Sequence, residues 1–276
     1  AFYRWFRLAS LDEVGGDPDR FGLAGEEVHA FAERLQREWP TTMTTLSTHD
    51  TKRSEDVRAR LAVVSEVPAA WAEAVRGWWV AAAPHRDPLV DPRTEYLLWQ
   101  TLAGAWPISA DRLHQYVEKA IREAKVRTSW TSPDSDYEDA VHRFVDGVLE
   151  DQDVTASLEA WLSATADATR AGVLGQKLLQ LLAPGVPDVY QGTELVDLSL
   201  VDPDNRRPVD FAARRERLAR LDSGANPRDL DDEKLLVTSR ALRLRREHPE
   251  WFVGEQAQYQ PVATTTGNRS EERRVG

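Results

Sequence analysis

The groups best suited to chemistry in these 276 residues stand together in Ser47-Thr48-His49-Asp50-Thr51-Lys52-Arg53-Ser54-Glu55-Asp56. An imidazole beside a carboxylate, followed by an ammonium and a guanidinium, can cap a helix, hold a metal ion or grip hydroxyl groups. In the first reading Asp50 is simply a helix cap in a solvated turn. In the second, His49 and Asp50 join His29 and a later acid around divalent ions for phosphate hydrolysis, which calls for an all-helical surround and more histidines. The six histidines, at positions 29, 49, 85, 114, 142 and 248, lack ligand spacing, and the run before His49 is strand-like; both features argue against a metal. In the third, Asp50 is a fixed carboxylate on sugar hydroxyls and His49 hydrogen-bonds the same ring. The dipeptide alone leaves these readings open.

The elements around it must hold that pair in place. Residues 43–46 are rich in threonine and apolar side chains, as a buried strand would be, and residues 54–61 open a helix with acids. His49-Asp50 therefore falls at the C-terminal end of a strand, the edge where barrels and open α/β sheets gather their working side chains. A helix over 26–38 precedes it, with Val28, Phe31, Ala32 and Leu35 at helical spacing. After it, 68–80, 92–102, 110–126, 137–149 and 154–182 read mainly as helices, separated by turns at Pro84, Pro88, Pro107 and Pro133. About 100 residues of helix between two strands far exceed the dozen or so that a βαβ crossover needs, so they read as an inserted subdomain. A short strand is expected at 188–190, then amphipathic helices over 214–221 and 233–248, the latter with Leu235, Leu236, Leu242 and Leu244 inward. Trp78, Trp79, Trp99 and Trp106 fall at helical spacings and read as core.

Four ordered blocks resemble the maltooligosyltrehalose synthase family of the α-amylase superfamily, glycoside hydrolase family 13. They are Asp12-Glu13-Val14-Gly15-Gly16-Asp17-Pro18 with Arg20-Phe21-Gly22, the His49-Asp50 block extended to Arg60, Arg122-Glu123-Ala124-Lys125-Val126 with Thr128-Ser129-Trp130, and Pro184-Gly185-Val186-Pro187 running through Tyr190-Gln191-Gly192-Thr193-Glu194 to Asp202-Pro203-Asp204-Asn205-Arg206-Arg207-Pro208. The resemblance implies an α/β fold: the C-terminal part of a (β/α)8 TIM barrel with a large all-helical inserted subdomain and the start of a truncated C-terminal β-domain. It places a barrel segment at 1–64, the helical insertion at 65–170, the last barrel strand and helices at 171–250, the β-domain start at 251–266 and an unrelated or disordered tail at 267–276. The implied activity is intramolecular transglucosylation, which converts the reducing-end α-1,4 linkage of a maltooligosaccharide into an α,α-1,1 linkage in trehalose biosynthesis.

By the same resemblance Asp50 matches a catalytic carboxylate that binds ring hydroxyls beside the reacting carbon, and His49 donates to the same sugar. Lys52 would contact the acceptor sugar, Lys125 and Trp130 would reach over the cleft, and Tyr190, Glu194, Asp202 and Arg206 would line or orient the site. Arg53 reads instead as the structural start of a helix. No cofactor and no metal are expected; the implied partners are the maltooligosaccharide substrate and, in the pathway, a trehalose-releasing hydrolase. The resemblance places Ala1 in the second half of the barrel and the nucleophile and general acid on earlier strands, so the chain by itself is expected to be inert. Arg127 departs from the family pattern, which more often has histidine there.

Composition narrows the partners. A net charge of −11 argues against nucleic acid and anionic membranes, and no apolar run approaches the roughly 20 residues of a membrane helix. The absence of cysteine rules out disulfides and thiolate metal sites and agrees with a cytoplasmic setting. Two other classes stay open on sequence grounds: another α-glucan hydrolase or transferase of the superfamily, and a carbohydrate-binding module without turnover.

Overall fold

Helix caps written in the sequence punctuate most of the structure. The computed structural model describes residues 2–5, 7–254 and 257–262. Its elements are α1 (Gly25–Glu38), β1 (Met43–Thr44), α2 (Glu55–Val64), α3 (Pro68–Ala81), α4 (Pro92–Ala105), α5 (Ala110–Ala124), α6 (Ser135–Glu150), α7 (Gln152–Ala164), α8 (Ala166–Leu182), β2 (Val186–Pro187), α9 (Phe211–Asp222) and α10 (Leu230–Glu247). Asp91 caps α4 by accepting from the amides of Arg93 at 3.1 Å and Thr94 at 3.2 Å, with Pro92 preset for the first turn. Asp134 caps α6 and Asp151 caps α7 in the same way.

The described chain divides into two compact units. The first comprises Ala1–Pro18, His49–Thr169 and Leu198–Arg207, the second Asp19–Thr48, Arg170–Asp197 and Pro208–Gly276.

In the first unit, α2 to α7 enclose one large apolar core. Trp78 and Trp99 lie at its centre, each 1% exposed, with ring centroids 5.7 Å apart, and Trp161 sits 5.3 Å from Trp71. Helices α2 and α4 meet at Gly104, where a Cβ would lie only 2.8 Å from Val57 Cγ1, so a side chain there would push the two helices apart.

In the second unit, β1 and β2 form a parallel pair with Met43 opposite Val186 and Thr44 opposite Pro187. The Val186 amide donates to Thr42 O at 2.8 Å and the Asp188 amide to Thr44 O at 2.7 Å. Pro187, which has no N–H, falls at the alternate position whose amide would point away from this neighbour, so the ladder loses nothing. Gly185 enters the strand at φ 108°, and a Cβ there would lie 2.8 Å from Thr42 O. Gln180 of α8 reaches both strands through Thr44 O at 3.2 Å and Asp188 O at 2.8 Å.

Several expectations shift. The strand expected at 188–190 lies at Val186–Pro187, because the Gly-Val-Pro run that reads as a turn is itself the paired segment. The strand expected over 43–46 pairs only at Met43–Thr44. Helix α5 stops at Ala124 rather than continuing to Val126, since Lys125 turns left-handed at φ 53°. On α1 only Ala32 is buried, and Val28 and Phe31 are exposed. Leu242 of α10 is also exposed, whereas Leu235 packs inward. Residues 257–262 carry neither helix nor strand, and positions 263–276, with the expected tail at 267–276, lie outside the described residues.

Candidate functional site

The loop between Thr48 and α2 is shaped by a residue far away in sequence. The buried carboxylate of Glu13 accepts from the Lys52 amide at 2.7 and 2.9 Å and from the Arg53 amide at 3.0 Å. It thereby satisfies two backbone donors ahead of α2. Arg53 is itself buried and donates to Ala9 O at 3.2 Å and to the Tyr116 hydroxyl at 2.9 Å.

A second loop, 198–207, is stitched to the first. Arg53 bridges Leu200 in antiparallel fashion, the Ser54 amide donates to Ser199 O at 3.0 Å, and Asn205 Nδ2 donates to His49 O at 3.0 Å. Arg112 of α5 holds this second loop by a bidentate pair to Asp204, at 2.7 and 2.8 Å, and by a bond to Leu198 O at 2.9 Å. Burial opposes charge on Asp204, yet Arg112, the Leu200 amide and Arg207 outweigh it and lower its pKa. The loop therefore keeps an ionised anchor.

On this scaffold Asp50 projects outward, its side chain 62% exposed. Lys52, whose side chain is only 11% exposed, turns back and donates through Nζ to Asp50 Oδ1 at 2.9 Å and to Asp50 O at 2.7 Å. The same ammonium lies 4.9 Å from the centroid of the Phe2 ring. The hydrogen bond from Lys52, then its charge, lowers the Asp50 pKa, with smaller contributions from His49 and Lys119. The carboxylate is thus anionic at neutral pH, oriented by one cation and open to solvent. It can accept hydrogen bonds from hydroxyls and stabilise developing positive charge; it is poorly suited to donate a proton.

The structure brings His49, Asp50, Lys52, Asp202 and Arg206 into one unit. Asp202 and Arg206 pair with each other at 2.6 Å, and Lys119 Nζ donates to Asp202 O at 2.6 Å. Lys125 and Trp130 belong to the same unit, at the end of α5 and in the turn after it. Tyr190 and Glu194 lie in the second unit. There Tyr190 O accepts from Thr193 N at 3.0 Å, and Glu194 pairs with Arg214 of α9 at 3.0 Å. Arg214 also donates to Gly192 O at 2.7 Å, so Glu194 anchors its turn to α9. Among the described residues no group of three or more His, Cys, Asp or Glu side chains is placed to hold a metal ion.

Glu13, Asn205, Arg112 and Lys119 are the site residues that sequence reasoning missed. Glu13 stands 39 residues before its partner, in a Gly-Gly turn, and nothing local marks it as a loop holder.

No protein-family model matches the chain. Its fold is similar to solved maltooligosyltrehalose synthases. With the enzyme from Arthrobacter ramosus it shares 46% identity and a TM-score of 0.86, over 94% of this chain and 35% of that one. With a structure from Sulfolobus tokodaii, titled a hypothetical maltooligosyl trehalose synthase, it shares 31% identity and a TM-score of 0.81, over 96% and 36%. In sequence it is 48% identical over 268 residues to a curated Mycobacterium tuberculosis protein provisionally named maltooligosyl trehalose synthase, covering 95% of this chain. The chain spans about a third of the length of the curated relatives it matches, at 33%. Over that third, in sequence and fold alike, it is similar to the maltooligosyltrehalose synthases.

Proposed function

We propose that the chain is a segment of a longer enzyme that converts the reducing-end α-1,4 linkage of maltooligosaccharides to the α,α-1,1 linkage of trehalose, and that Asp50 is one of its catalytic carboxylates. The observation that carries this reading is the Lys52-bound, anionic and outward-facing Asp50 on a loop braced by Glu13 and Asn205. Similarity to maltooligosyltrehalose synthases over almost the whole chain supports it.

The chemistry follows from retaining glycosyl transfer, in which a carboxylate nucleophile and a carboxylic acid flank the bond and the transition state is oxocarbenium-like. Asp50, held ionised by Lys52, suits neither proton donation nor attack while its oxygen is occupied. It suits a carboxylate that accepts hydrogen bonds from hydroxyls next to the reacting carbon and strengthens them as positive charge develops. His49, exposed beside it, supplies a further polar contact to the same ring. The released glucose then attacks through its anomeric hydroxyl in place of water, an isomerisation that requires solvent to be kept out. Because attack and protonation need two further groups, Asp50 alone does not support turnover. In this reading a trehalose-releasing hydrolase consumes the product in the cytoplasm.

The finer fold reading is that β1 and β2 are neighbouring strands of a (β/α)8 barrel and that α3 to α7 are an insertion in it. Their parallel pairing in register supports this, since adjacent barrel strands run parallel.

The test is to incubate maltopentaose with the longer protein that carries this segment, as wild type and as Asp50→Asn, following reducing ends and total sugar. The expected outcome is loss of reducing ends without loss of total sugar, slowed at least a thousandfold in the variant. A rise in reducing ends would mark a hydrolase, and equal rates in both proteins would remove Asp50 from catalysis.

A further inference from the structure

Three consecutive peptide groups around Asp50 are held by side chains. The first two set φ and ψ of Asp50, because each peptide is planar and only the rotations between neighbouring planes remain. In the 49–50 group the His49 carbonyl accepts from Asn205 Nδ2 at 3.0 Å. In the 50–51 group the Asp50 carbonyl accepts from Lys52 Nζ at 2.7 Å. The 51–52 group is held at both ends: Thr51 O accepts from Asn205 Nδ2 at a longer 3.5 Å, and the Lys52 amide donates to the Glu13 carboxylate at 2.7 and 2.9 Å. Lys52 is a neighbour in sequence and Glu13 acts beyond Asp50. Asn205, 6% exposed and 156 positions from His49, is thus the remote side chain that fixes the plane leading into Asp50.

Asn205 is itself seated by α5, whose Arg112, Tyr116 and Lys119 stand at i, i+4 and i+7 on one face. Arg112 pairs with Asp204, the Tyr116 hydroxyl accepts from Arg53, and Lys119 donates to Asp202 O. One helix face therefore holds both the loop that supplies Asn205 and the loop that carries Asp50. A carboxamide suits the task, since its NH2 group donates to two carbonyls, whereas a carboxylate of the same shape would repel both oxygens.

We propose that Asn205 is a positioning residue: it sets the direction of the Asp50 carboxylate and so acts on the rate of glucosyl transfer rather than on sugar binding. This rests on the catalytic role proposed for Asp50.

The test measures kcat and KM on maltopentaose in the longer protein, using wild type, Asn205→Ala, Asp50→Asn and the double variant, with thermal melts alongside. Because a misplacement of about 1 Å can cost about a hundredfold, Asn205→Ala should lower kcat about ten- to a hundredfold while KM stays within about threefold. In the Asp50→Asn background the same change should cost under about twofold, since a residue that acts through Asp50 then has nothing left to position. A general loosening of the fold would cost the same factor in both backgrounds, and that result would overturn the proposal. So would a loss confined to KM, or wild-type kcat in Asn205→Ala beside a slowed Asp50→Asn; either leaves the role of Asp50 standing. Wild-type turnover in Asp50→Asn, or none in the wild type, would remove the catalytic reading of Asp50 and this proposal with it. If Asn205→Ala does not fold, the same cycle with Asn205→Ser decides.

Discussion

The loop that carries Asp50 is braced by a buried carboxylate, Glu13. Glu13 is 7% exposed and accepts from the Lys52 and Arg53 amides. Replacing it with alanine strands buried donors, a loss of about 1–3 kcal/mol. Urea unfolding of Glu13→Ala should show that drop in stability, and an unchanged midpoint would mean the 52–53 turn holds itself. Sequence reading reached His49, Asp50 and Lys52 because they are contiguous and chemically distinctive. It missed Glu13, Asn205 and Arg112 because their partners lie 39 to 156 positions away, and long-range pairing leaves no local mark. The resemblance has Asp202 and Arg206 line the site; in the structure they pair with each other at 2.6 Å.

Among the elements, α5 and α6 are joined by an unusual proton chain. His114 Nε2 lies 2.7 Å from Asp146 Oδ1, and His114 Nδ1 lies 2.7 Å from His142 Nδ1. If Asp146 accepts the His114 Nε2 proton, His142 must donate to the bare His114 Nδ1, so a second positive charge disrupts the chain. Burial first, then the neighbouring His114, lowers the His142 pKa, against the raising effect of Glu118, Asp146 and Glu138. A histidine whose folded pKa lies below its unfolded value stabilises the fold at higher pH, and that contribution is lost as pH falls through the unfolded value towards the folded one. Melting temperatures compared above and below the ordinary histidine range should fall more at acid pH for wild type than for His142→Gln. A parallel fall would remove His142 as the cause. The helices were legible from 3.6-residue spacing and proline-marked turns, although the stretch read as one helix over 154–182 is two, α7 and α8. The strands were legible only in part: the threonine-rich run over 43–46 contains the paired Met43–Thr44, whereas the second strand, expected at 188–190, pairs at Val186–Pro187, too short a segment to show alternation.

At the scale of the molecule, α3 to α7 gather in one unit with the Asp50 loop, while β1, β2, α9 and α10 lie in the other. The sequence reading set the helical stretch 65–170 apart from a barrel segment at 1–64, whereas residues 1–18, 49–169 and 198–207 form one unit, tied by contacts such as Arg53 with Ala9 and Arg112 with Asp204 that leave no local mark in the sequence. No helix among the described residues is long and apolar enough to cross a membrane. Lys52, one of 35 lysines and arginines in the chain, is committed to Asp50. The central claim is that this pairing keeps a sugar-binding carboxylate ionised. Its most direct test follows the Asp50 side-chain carboxyl carbon by NMR through a pH titration of the chain, with and without maltopentaose. The account predicts ionisation below the ordinary aspartate range and a resonance that shifts as the sugar binds. An ordinary titration with no response to saturating sugar would contradict it.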